Sequence, residues 1–363
     1  MISKVFFDMI DTVCNEYHLE KDDVADAIKT ALVKAIQADD HKGIVEVVLD
    51  YDTNKIRIFE TFNVVDKSVE DYEYKRGDVS LEEALVLKTR VKVGSEIRNE
   101  IPFSTIGRKV VMRFKQIWIQ ELKSLRTRSA YQFFKENEGE VINAIIEKVT
   151  SNAIILNIGH NTFSYMPVEE GLGGEEYIVG NQLKVCISKV EETTKGPKVY
   201  VSRSQKEIIK RLFEANIPEI TQGVLEIMGI SREPGNRTKI GIKSNNPNVD
   251  AKGSCVGIGG ARIKQINNAL NGERIDIFEW KDDPVELIAE SLSPATCISV
   301  LADVELRKCL VIVPDDQFSL AIGKGGQNVR LASQVTGWKI DIKDETTAYR
   351  DGISFVPNVK KVN

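Results

Sequence analysis

Glycines cluster at two places late in the sequence, each directly before an amphipathic segment that is typical of a helix. The first cluster, GIGG, spans residues 257–260, and the second, GKGG, spans residues 323–326. Glycine has no side chain, so a ligand can approach the main chain closely, and the amides that open the following helix favour an anion. The clusters indicate a site for the phosphates of a nucleotide or of a nucleic acid, or else a tight structural turn.

The two clusters belong to a longer repeat. Segment 251–278 matches segment 317–342, with Ile263 equivalent to Val329 and a strand-like run, ERIDI or WKIDI, closing each copy. Each copy is predicted as helix, strands, short helix, GxxG, helix and strand. With only two copies visible, the pattern favours two domains of one fold over a solenoid.

Positive charge is concentrated around the loops although the whole chain has a net charge of −5. No Asp or Glu occurs in residues 251–272 or 317–340. The basic residues near the two loops are Lys252, Arg262, Lys264, Lys324 and Arg330. Because affinity for nucleic acid depends on where cations lie rather than on net charge, this arrangement suits a phosphate backbone.

A nucleotide cofactor fits the loops poorly. The dinucleotide-binding pattern GxGxxG requires a third glycine where this chain has Arg262 or Asn328, and the polar run PDDQFSLAI separates strand from loop. A Walker loop is excluded because no GK[ST] occurs. We therefore expect no nucleotide or other cofactor.

Composition bounds the remaining function classes. Five cysteines without a CxxC pair and three scattered histidines predict neither disulfides nor a metal site. No apolar run is long enough for a membrane span, and the first residues lack the form of a secretory signal. We expect a cytoplasmic protein of several domains without membrane contact.

The segment before the repeat predicts two further domains. Helices at residues 4–17 and 22–37, strands at 44–51 and 55–65 and, after a short helix, a third candidate strand at 86–93 indicate a mixed α/β domain. Residues 104–128 predict one long helix capped by Ser104, with seven Lys or Arg and one acid. For these basic residues we favour a solvated connecting helix over direct RNA contact.

Short alternating strands from Gly139 onward, separated by turn residues, predict a small five-stranded barrel. Barrels that bind oligonucleotides stack bases on aromatic side chains. The barrel resembles S1-type domains, and where that family usually has an aromatic residue this chain has Ile154 and Ile155, which leaves Phe163 and Tyr165 as candidates. A stacking role for this pair and a structural role, with one ring buried and one on the surface, remain equally open.

Both repeats resemble KH domains, whose GxxG loop clamps the RNA backbone, and the barrel resembles an S1-type domain. Runs such as REPGNRTKIGIKSN and SLAIGKGGQNVRLASQVTGWKIDI extend the resemblance to the bacterial NusA family of transcription termination and antitermination factors, over nearly all of residues 1–345. We thus expect a multidomain α+β protein. Its parts would be an N-terminal α/β domain with connecting helix (1–134), an S1-type OB β-barrel (135–204), tandem type II KH domains (205–280 and 281–345) and a flexible tail (346–363).

The candidate RNA-binding residues lie in and beside the two loops, and the resemblance adds an arginine at the end of the barrel. They are Gly257, Ile258, Gly259, Gly260, Arg262, Lys264, Gly323, Lys324, Gly325, Gly326, Gln327, Asn328, Arg330 and Arg203. The resemblance also implies that the N-terminal domain docks on RNA polymerase near the RNA exit channel. The other modules would hold nascent single-stranded RNA beside further antitermination factors, with the chain as a monomer.

Two other classes of function stay open. An RNA-processing enzyme would need a catalytic centre, but residues 1–130 contain neither a paired-acid metal motif nor a nucleophile constellation, so we expect no enzymatic activity. An RNA-processing accessory or RNA chaperone would use the S1 and KH modules without polymerase. In the first helix, Phe6, Phe7 and Ile10 offer an apolar surface for polymerase, although we assign Phe6 and Ile10 to the core.

Overall fold

The computed structural model describes residues 2–39, 41–66, 73 and 75–359. The chain divides into two compact units. The N-terminal unit comprises residues 1–133 and 192–197, and the C-terminal unit comprises residues 134–191 and 198–363.

The N-terminal unit combines helices with a mixed sheet, as predicted. Its elements are α1 (Ile2–Tyr17), α2 (Lys21–Gln37), β1 (Ile44–Asp50), β2 (Lys55–Val65), β3 (Asp78–Ser80), α3 (Leu81–Leu87), β4 (Glu96–Ile101) and α4 (Arg108–Glu136), which continues beyond the unit. Strands β1 and β4 pair antiparallel with β2, and β3 pairs parallel with the end of β2. Apolar side chains of α1, α2, β1 and α4 share one core.

Helix α2 shows how the sequence pattern produces this core. Its buried residues recur at helical spacing and are Val24, Ala25, Ile28, Ala31, Leu32, Ala35 and Ile36. Asp22 and Asp23 lie in its first turn, where the partial positive charge of the helix N-terminus favours carboxylates. In α1, Phe7 and Ile10 are buried and Phe6 packs against the core, whereas Met9 is exposed.

The predicted strand at residues 86–93 is wrong. Ser80 and Glu83 form a reciprocal capping box that starts α3 at Leu81, so Val86 and Leu87 lie in a helix. The place beside β2 is taken instead by Glu96–Ile101. A local side chain–backbone cap therefore overrides the alternating pattern that indicated a strand.

The long helix α4 is confirmed, with different ends. It begins at Arg108, because Ser104 lies in a separate 3-10 turn at Phe103–Thr105 and does not cap it. The predicted apolar stripe faces the core, with Val110 and Leu125 buried. Of the basic residues, Arg113 donates to Ala38 O, Arg126 lies 4.0 Å over the Tyr17 ring and Arg128 pairs with an acid of α2.

The C-terminal unit starts with the five-stranded sheet that the sequence predicts as a barrel. Its strands are β5 (Val141–Val149), β6 (Ala153–Asn157), β7 (Phe163–Pro167), β8 (Gln182–Thr193) and β9 (Gly196–Ser202), in the order β7-β6-β5-β8-β9. Ser164 Oγ in β7 donates to Val199 O in β9 at 2.7 Å. The two outer strands therefore meet, and the sheet is a nearly closed barrel.

Two domains of one topology follow the barrel. The first contains α5 (Glu207–Asn216), α6 (Pro218–Thr221), β10 (Leu225–Glu233), β11 (Arg237–Ser244), α7 (Ala251–Val256), α8 (Ala261–Ala269) and β12 (Arg274–Glu279). The second contains α9 (Pro284–Ser291), β13 (Ser299–Asp303), β14 (Lys308–Val313), α10 (Phe318–Ile322), α11 (Gln327–Thr336) and β15 (Lys339–Asp344). In each sheet the first two strands pair antiparallel and the last two pair parallel, with the predicted element order.

The two repeated domains contact each other directly. Val335 of α11 shares a buried cluster with Phe278 and Leu287, and Ser231 Oγ of β10 donates to Leu331 O at 2.7 Å. Lys239 of β11 is buried and its Nζ donates to Ser293 O at 2.9 Å. Burial lowers the pKa of Lys239 to about 8, although Asp276 nearby opposes this shift.

The tail predicted as flexible makes defined contacts over its described residues. Residues Glu345–Arg350 form α12, and the Tyr349 and Phe355 rings lie 5.0 Å apart. Farther on, the Asn358 side chain exchanges two hydrogen bonds with the main chain of Val300, each of 2.9 Å. The amide thus pairs with the edge of β13 as a short strand would.

Candidate nucleic-acid interface

The first glycine loop connects α7 to α8 through left-handed backbone. Gly257 has φ 73° and ψ 173°, Gly259 has φ 60° and ψ 19°, and Gly260 has φ 75° and ψ 18°. Residues with a Cβ rarely adopt such angles, so glycine is favoured at these positions. Helix α8 then begins directly, with its N-terminal amides beside the loop.

The second loop has the same backbone conformation. Gly323 has φ 76° and ψ 170°, Gly325 has φ 59° and ψ 27°, and Gly326 has φ 75° and ψ 14°. Helix α11 follows as α8 does in the first domain. The repeat recognised in the sequence is therefore also a repeat of loop geometry.

Only some of these glycines are crowded. A Cβ on Gly257 would lie 2.9 Å from Arg262 Cγ, and one on Gly323 would lie 2.8 Å from the backbone nitrogen of Asn328. A Cβ on Gly259 or Gly325 would meet nothing within 4 Å. The third position of each loop faces open space, so a ligand can come close to the main chain there.

The variable residue of each loop points away from the protein. Ile258 is 98% exposed, and Lys324 in the equivalent position is also exposed. An apolar side chain that is exposed to this extent contributes no buried surface to the core of the protein. The tips of the loops thus offer an apolar contact in the first domain and a cation in the second.

Arg262 and Asn328 occupy equivalent positions in the two repeats, and both side chains have a structural role. Arg262 Nη1 donates to Ser254 O at 2.7 Å and to Glu219 Oε2 at 2.9 Å. Asn328 Nδ2 donates to Leu320 O and Ala321 O of α10 at 3.3 and 3.1 Å, and to Leu292 O at 2.9 Å. Both side chains satisfy carbonyls at the C-terminal end of the short helix before the loop.

The RNA-binding prediction for Asn328 needs correction. The residue is 1% exposed, and its amide nitrogen lies within hydrogen-bonding distance of three main-chain carbonyls. A residue buried in this way cannot touch RNA directly, so it supports the loop from beneath. Arg262 retains partial exposure of 31% but is paired with Glu219.

Arg203 is a second correction. Its side chain is 1% exposed, and it forms a buried pair with Glu175, with Nε–Oε2 and Nη2–Oε1 distances of 2.8 and 2.6 Å. Its guanidinium also donates to Ala269 O of α8 at 3.1 Å. The resemblance implied an RNA contact, but the side chain instead connects the barrel to the first repeated domain.

A second buried pair strengthens the same junction. Arg232 of β10 donates to both oxygens of Glu273 and also to the carbonyls of Arg203 and Gln205. Both partners are nearly inaccessible, with side-chain exposures of 2% and 0%. Removing one partner of such a pair leaves a buried charge unsatisfied, which is strongly destabilising.

The remaining cations near the loops differ in their partners. Lys264 and Lys324 have exposed side chains, and Lys252 Nζ lies 3.9 Å from Glu290 Oε2. Arg330 and Gln327 of α11 both donate to Glu233, a residue of the first repeated domain. Segments 251–272 and 317–340 contain no acids of their own. The acids that pair with their arginines, Glu219 and Glu233, lie elsewhere in the chain, so the sequence pattern did not reveal them.

The barrel presents two aromatic residues on one strand. In β7, Phe163 and Tyr165 are 51% and 66% exposed, while Ser164 and Met166 between and after them are buried. Alternate residues of a strand share a face, so both rings lie on the outer face. The alternative with one ring buried is wrong, and the pair is available for stacking.

No metal centre is built into the part of the chain that the structure describes, where groups of three or more potential ligands are absent. Within the same residues, no helix has the length and apolar character to cross a membrane.

Sequence profiles of known families match three parts of the chain. The NusA N-terminal domain matches residues 6–128, the NusA-like first KH domain matches residues 203–280, and the NusA-like second KH domain matches residues 284–350. Among curated relatives, the transcription termination/antitermination protein NusA of Bacillus subtilis is 38% identical over 353 residues, which cover 97% of this chain and 94% of the relative. This chain belongs to the NusA family.

A further NusA protein, from Halalkalibacterium halodurans, is 36% identical over 96% of this chain and 90% of its own length. Among solved structures, the N-terminal domain of NusA from B. subtilis is 27% identical and covers 36% of this chain and 98% of that domain, with a TM-score of 0.24. The tandem KH domains that the glycine repeat predicted are thus confirmed, with the S1-like barrel preceding them.

Proposed function

We propose that this protein is an RNA-binding transcription elongation factor that contacts RNA polymerase and nascent RNA and so modulates pausing, termination and antitermination. The two glycine loops carry the proposal, because both open their main chain to a ligand beside a helix N-terminus. Full-length similarity to proteins named for termination and antitermination supports the transcriptional role.

The loop residues have distinct tasks in this proposal. The glycines at the third position, Gly259 and Gly325, let RNA phosphates approach, with the helix amides and Lys264 or Lys324 supplying positive charge. The other loop glycines, Gly257, Gly260, Gly323 and Gly326, hold the left-handed turns. We assign Ile258 to an apolar contact with a base or ribose.

Phe163 and Tyr165 extend the proposed RNA surface onto the barrel. Exposed aromatic rings on an OB-type barrel stack on bases without regard to sequence. The barrel is tied to the first KH domain by Arg203 and Arg232. RNA that leaves the KH loops thus has an aromatic surface within one connected unit.

The finer assignments belong to the same proposal. Residues 1–134 would dock on polymerase near the RNA exit channel, followed by an S1 domain to residue 204, KH domains at 205–280 and 281–345 and a C-terminal segment at 346–363. The proposed role requires no catalytic activity and no cofactor. We expect a monomer that acts in the cytoplasm, together with other antitermination factors.

A single-round transcription assay tests the proposal. We expect the full chain to lengthen the lifetime of a hairpin-dependent pause by purified bacterial polymerase, and to be retained by immobilised polymerase. The variant Lys324→Asp/Gly325→Asp should keep polymerase retention but lose most of the pause effect, because it repels RNA phosphates. The matched control Lys308→Asp makes a similar charge change at an exposed position outside the loops.

The assay also separates the alternatives. Tight RNA binding without polymerase retention or a pause effect would favour an RNA chaperone or processing accessory. Polymerase retention with an unchanged pause in the loop variant would show that the KH loops are not the RNA contact.

A further inference from the structure

An acid of the first KH domain reaches the glycine loop of the second. Glu233, the last residue of β10, accepts a hydrogen bond from Arg330 Nε at 2.8 Å and from Gln327 Nε2 at 2.6 Å. Arg330 and Gln327 belong to α11, which follows the GKGG loop directly. The contact therefore joins two domains at the place where the second loop would hold RNA.

Arg330 also touches the loop itself. Its Nη1 donates to Gly325 O at 3.3 Å, so the guanidinium lies between the loop carbonyl and the Glu233 carboxylate. The arginine side chain is 50% exposed and the glutamate side chain 27%. RNA can therefore reach the guanidinium while the contact between the two KH domains stays intact.

The carboxylate is charged in the folded protein. Burial raises the pKa of Glu233, but the hydrogen bonds from Gln327 and Arg330 lower it by more, and the net pKa lies below its usual value. A carboxylate and a phosphate use the same guanidinium donors. An RNA phosphate at this loop would compete with Glu233 for Arg330, and it would be repelled if Glu233 remained in place.

The first loop provides no equivalent competitor of this kind. Arg262 pairs with Glu219, but it also donates to Ser254 O at 2.7 Å and so is held in place by the main chain of its own domain. Freeing Arg262 would leave a helix-end carbonyl unsatisfied. Arg330 holds only the exposed carbonyl of Gly325, so its release from Glu233 costs mainly a partly exposed ion pair.

We propose that Glu233 is a tethered counter-anion of the second KH loop, which holds Arg330 in the absence of RNA and is displaced by an RNA phosphate. The inference rests on the proposed function in RNA binding. Since the carboxylate must leave before phosphate enters, it lowers the affinity of the second loop for any RNA backbone. It also makes the charge of that loop depend on the contact between the two KH domains.

The variant Glu233→Gln of the full chain tests the proposal, with Glu226→Gln as the matched control. Glu226 lies on the same strand, is exposed and contributes the same charge, but it does not contact Arg330. Binding of a fluorescent 12-nucleotide single-stranded RNA is measured by anisotropy from about 50 to 200 mM salt. We expect Glu233→Gln to raise affinity about fivefold at the lowest salt, well above the gain of the control.

The salt dependence and a double variant complete the test. The slope of log affinity against log salt should become steeper by about 0.7, the value for one phosphate on a single strand, because the variant has no displaced carboxylate to take up a cation when RNA binds. When Arg330→Gln is already present, adding Glu233→Gln should give no gain in affinity, because the released guanidinium is then missing.

Each of the following results would overturn the inference. Equal gains in affinity in Glu233→Gln and Glu226→Gln would show a general charge effect. A gain that survives in the double variant would exclude Arg330 as the group that Glu233 holds. A loss of affinity with a lowered melting temperature would show a purely structural role for Glu233. If the unsubstituted protein does not bind the RNA at all, the proposed function fails and the inference with it. Salt-dependent binding without a gain in Glu233→Gln defeats only the inference.

Discussion

The two KH loops have the same main chain and different side chains. The glycines at the first and third loop positions agree in φ within a few degrees, at 73° and 76° and at 60° and 59°. Yet the first loop exposes Ile258 and the second exposes Lys324. The loop geometry that we propose for phosphate binding is thus conserved between the repeats, while the side chains beside it differ in chemistry.

The support beneath the loops differs as well. Arg262 is 31% exposed and donates to a carbonyl and to Glu219, whereas Asn328 is buried and its amide nitrogen contacts main-chain carbonyls. One solution uses a charged side chain at the surface, and the other uses a neutral side chain in the core. Both satisfy the end of the preceding short helix, so the requirement belongs to the loop and not to the residue type.

The largest expected effect comes from reversing charge at the loops. Lys324→Asp/Gly325→Asp should weaken RNA binding by about 3 kcal/mol at low salt, and Ile258→Asp/Gly259→Asp by about 2 kcal/mol, since they change the local charge by three units and two. Both folds should persist, because Gly259 and Gly325 face open space and aspartate tolerates left-handed backbone. Filter binding at fixed salt and thermal unfolding measure the two quantities.

The relative losses of RNA affinity in these two variants show which loop contributes more to binding. A larger loss in the first loop would show that the apolar Ile258 contact outweighs the Lys324 charge. Unchanged affinity in both variants at the same salt would remove the clamp hypothesis.

A smaller effect is expected from the supporting residues, and on stability rather than on binding. Asn328→Ala should lower the free energy of unfolding by about 2 kcal/mol, because buried carbonyls lose their donor. Arg262→Ala should cost about 1 kcal/mol, since water can reach its half-exposed site. Urea unfolding of the full chain measures both.

The matched readout is RNA affinity under conditions where each variant is folded. A tenfold loss of affinity in Asn328→Ala without loss of stability would contradict the structural role assigned here. The same result in Arg262→Ala would return that arginine to the direct RNA contacts.

The smallest effect concerns the exchange of the two loop side chains. Ile258→Lys should steepen the salt dependence of binding by about 0.7, and Lys324→Ile should reduce it by a similar amount. The double exchange should restore the original slope while moving the cation from one domain to the other. A slope that does not change in Lys324→Ile would show that this lysine makes no phosphate contact.

Much of the fold followed from local patterns. The apolar stripe of α2, the alternating barrel strands and the repeated glycine loops each depend on neighbours within a few residues, and each was predicted. Where a local cap competed with a local pattern, as at Ser80 and Glu83, the strand prediction failed. The tail contact of Asn358 with Val300 joins distant residues and left no periodic signal.

The candidate site divides in the same way. The two loops could be read from the sequence, because several positive φ angles directly before a helix favour glycine. The side chains that RNA can reach depend on the tertiary structure. The fold buries Arg203 and Asn328, and it brings Glu219 and Glu233 to arginines that have no acid near them in sequence. Charge pairing and burial act through space, so residues far apart along the chain set the electrostatics that RNA would meet.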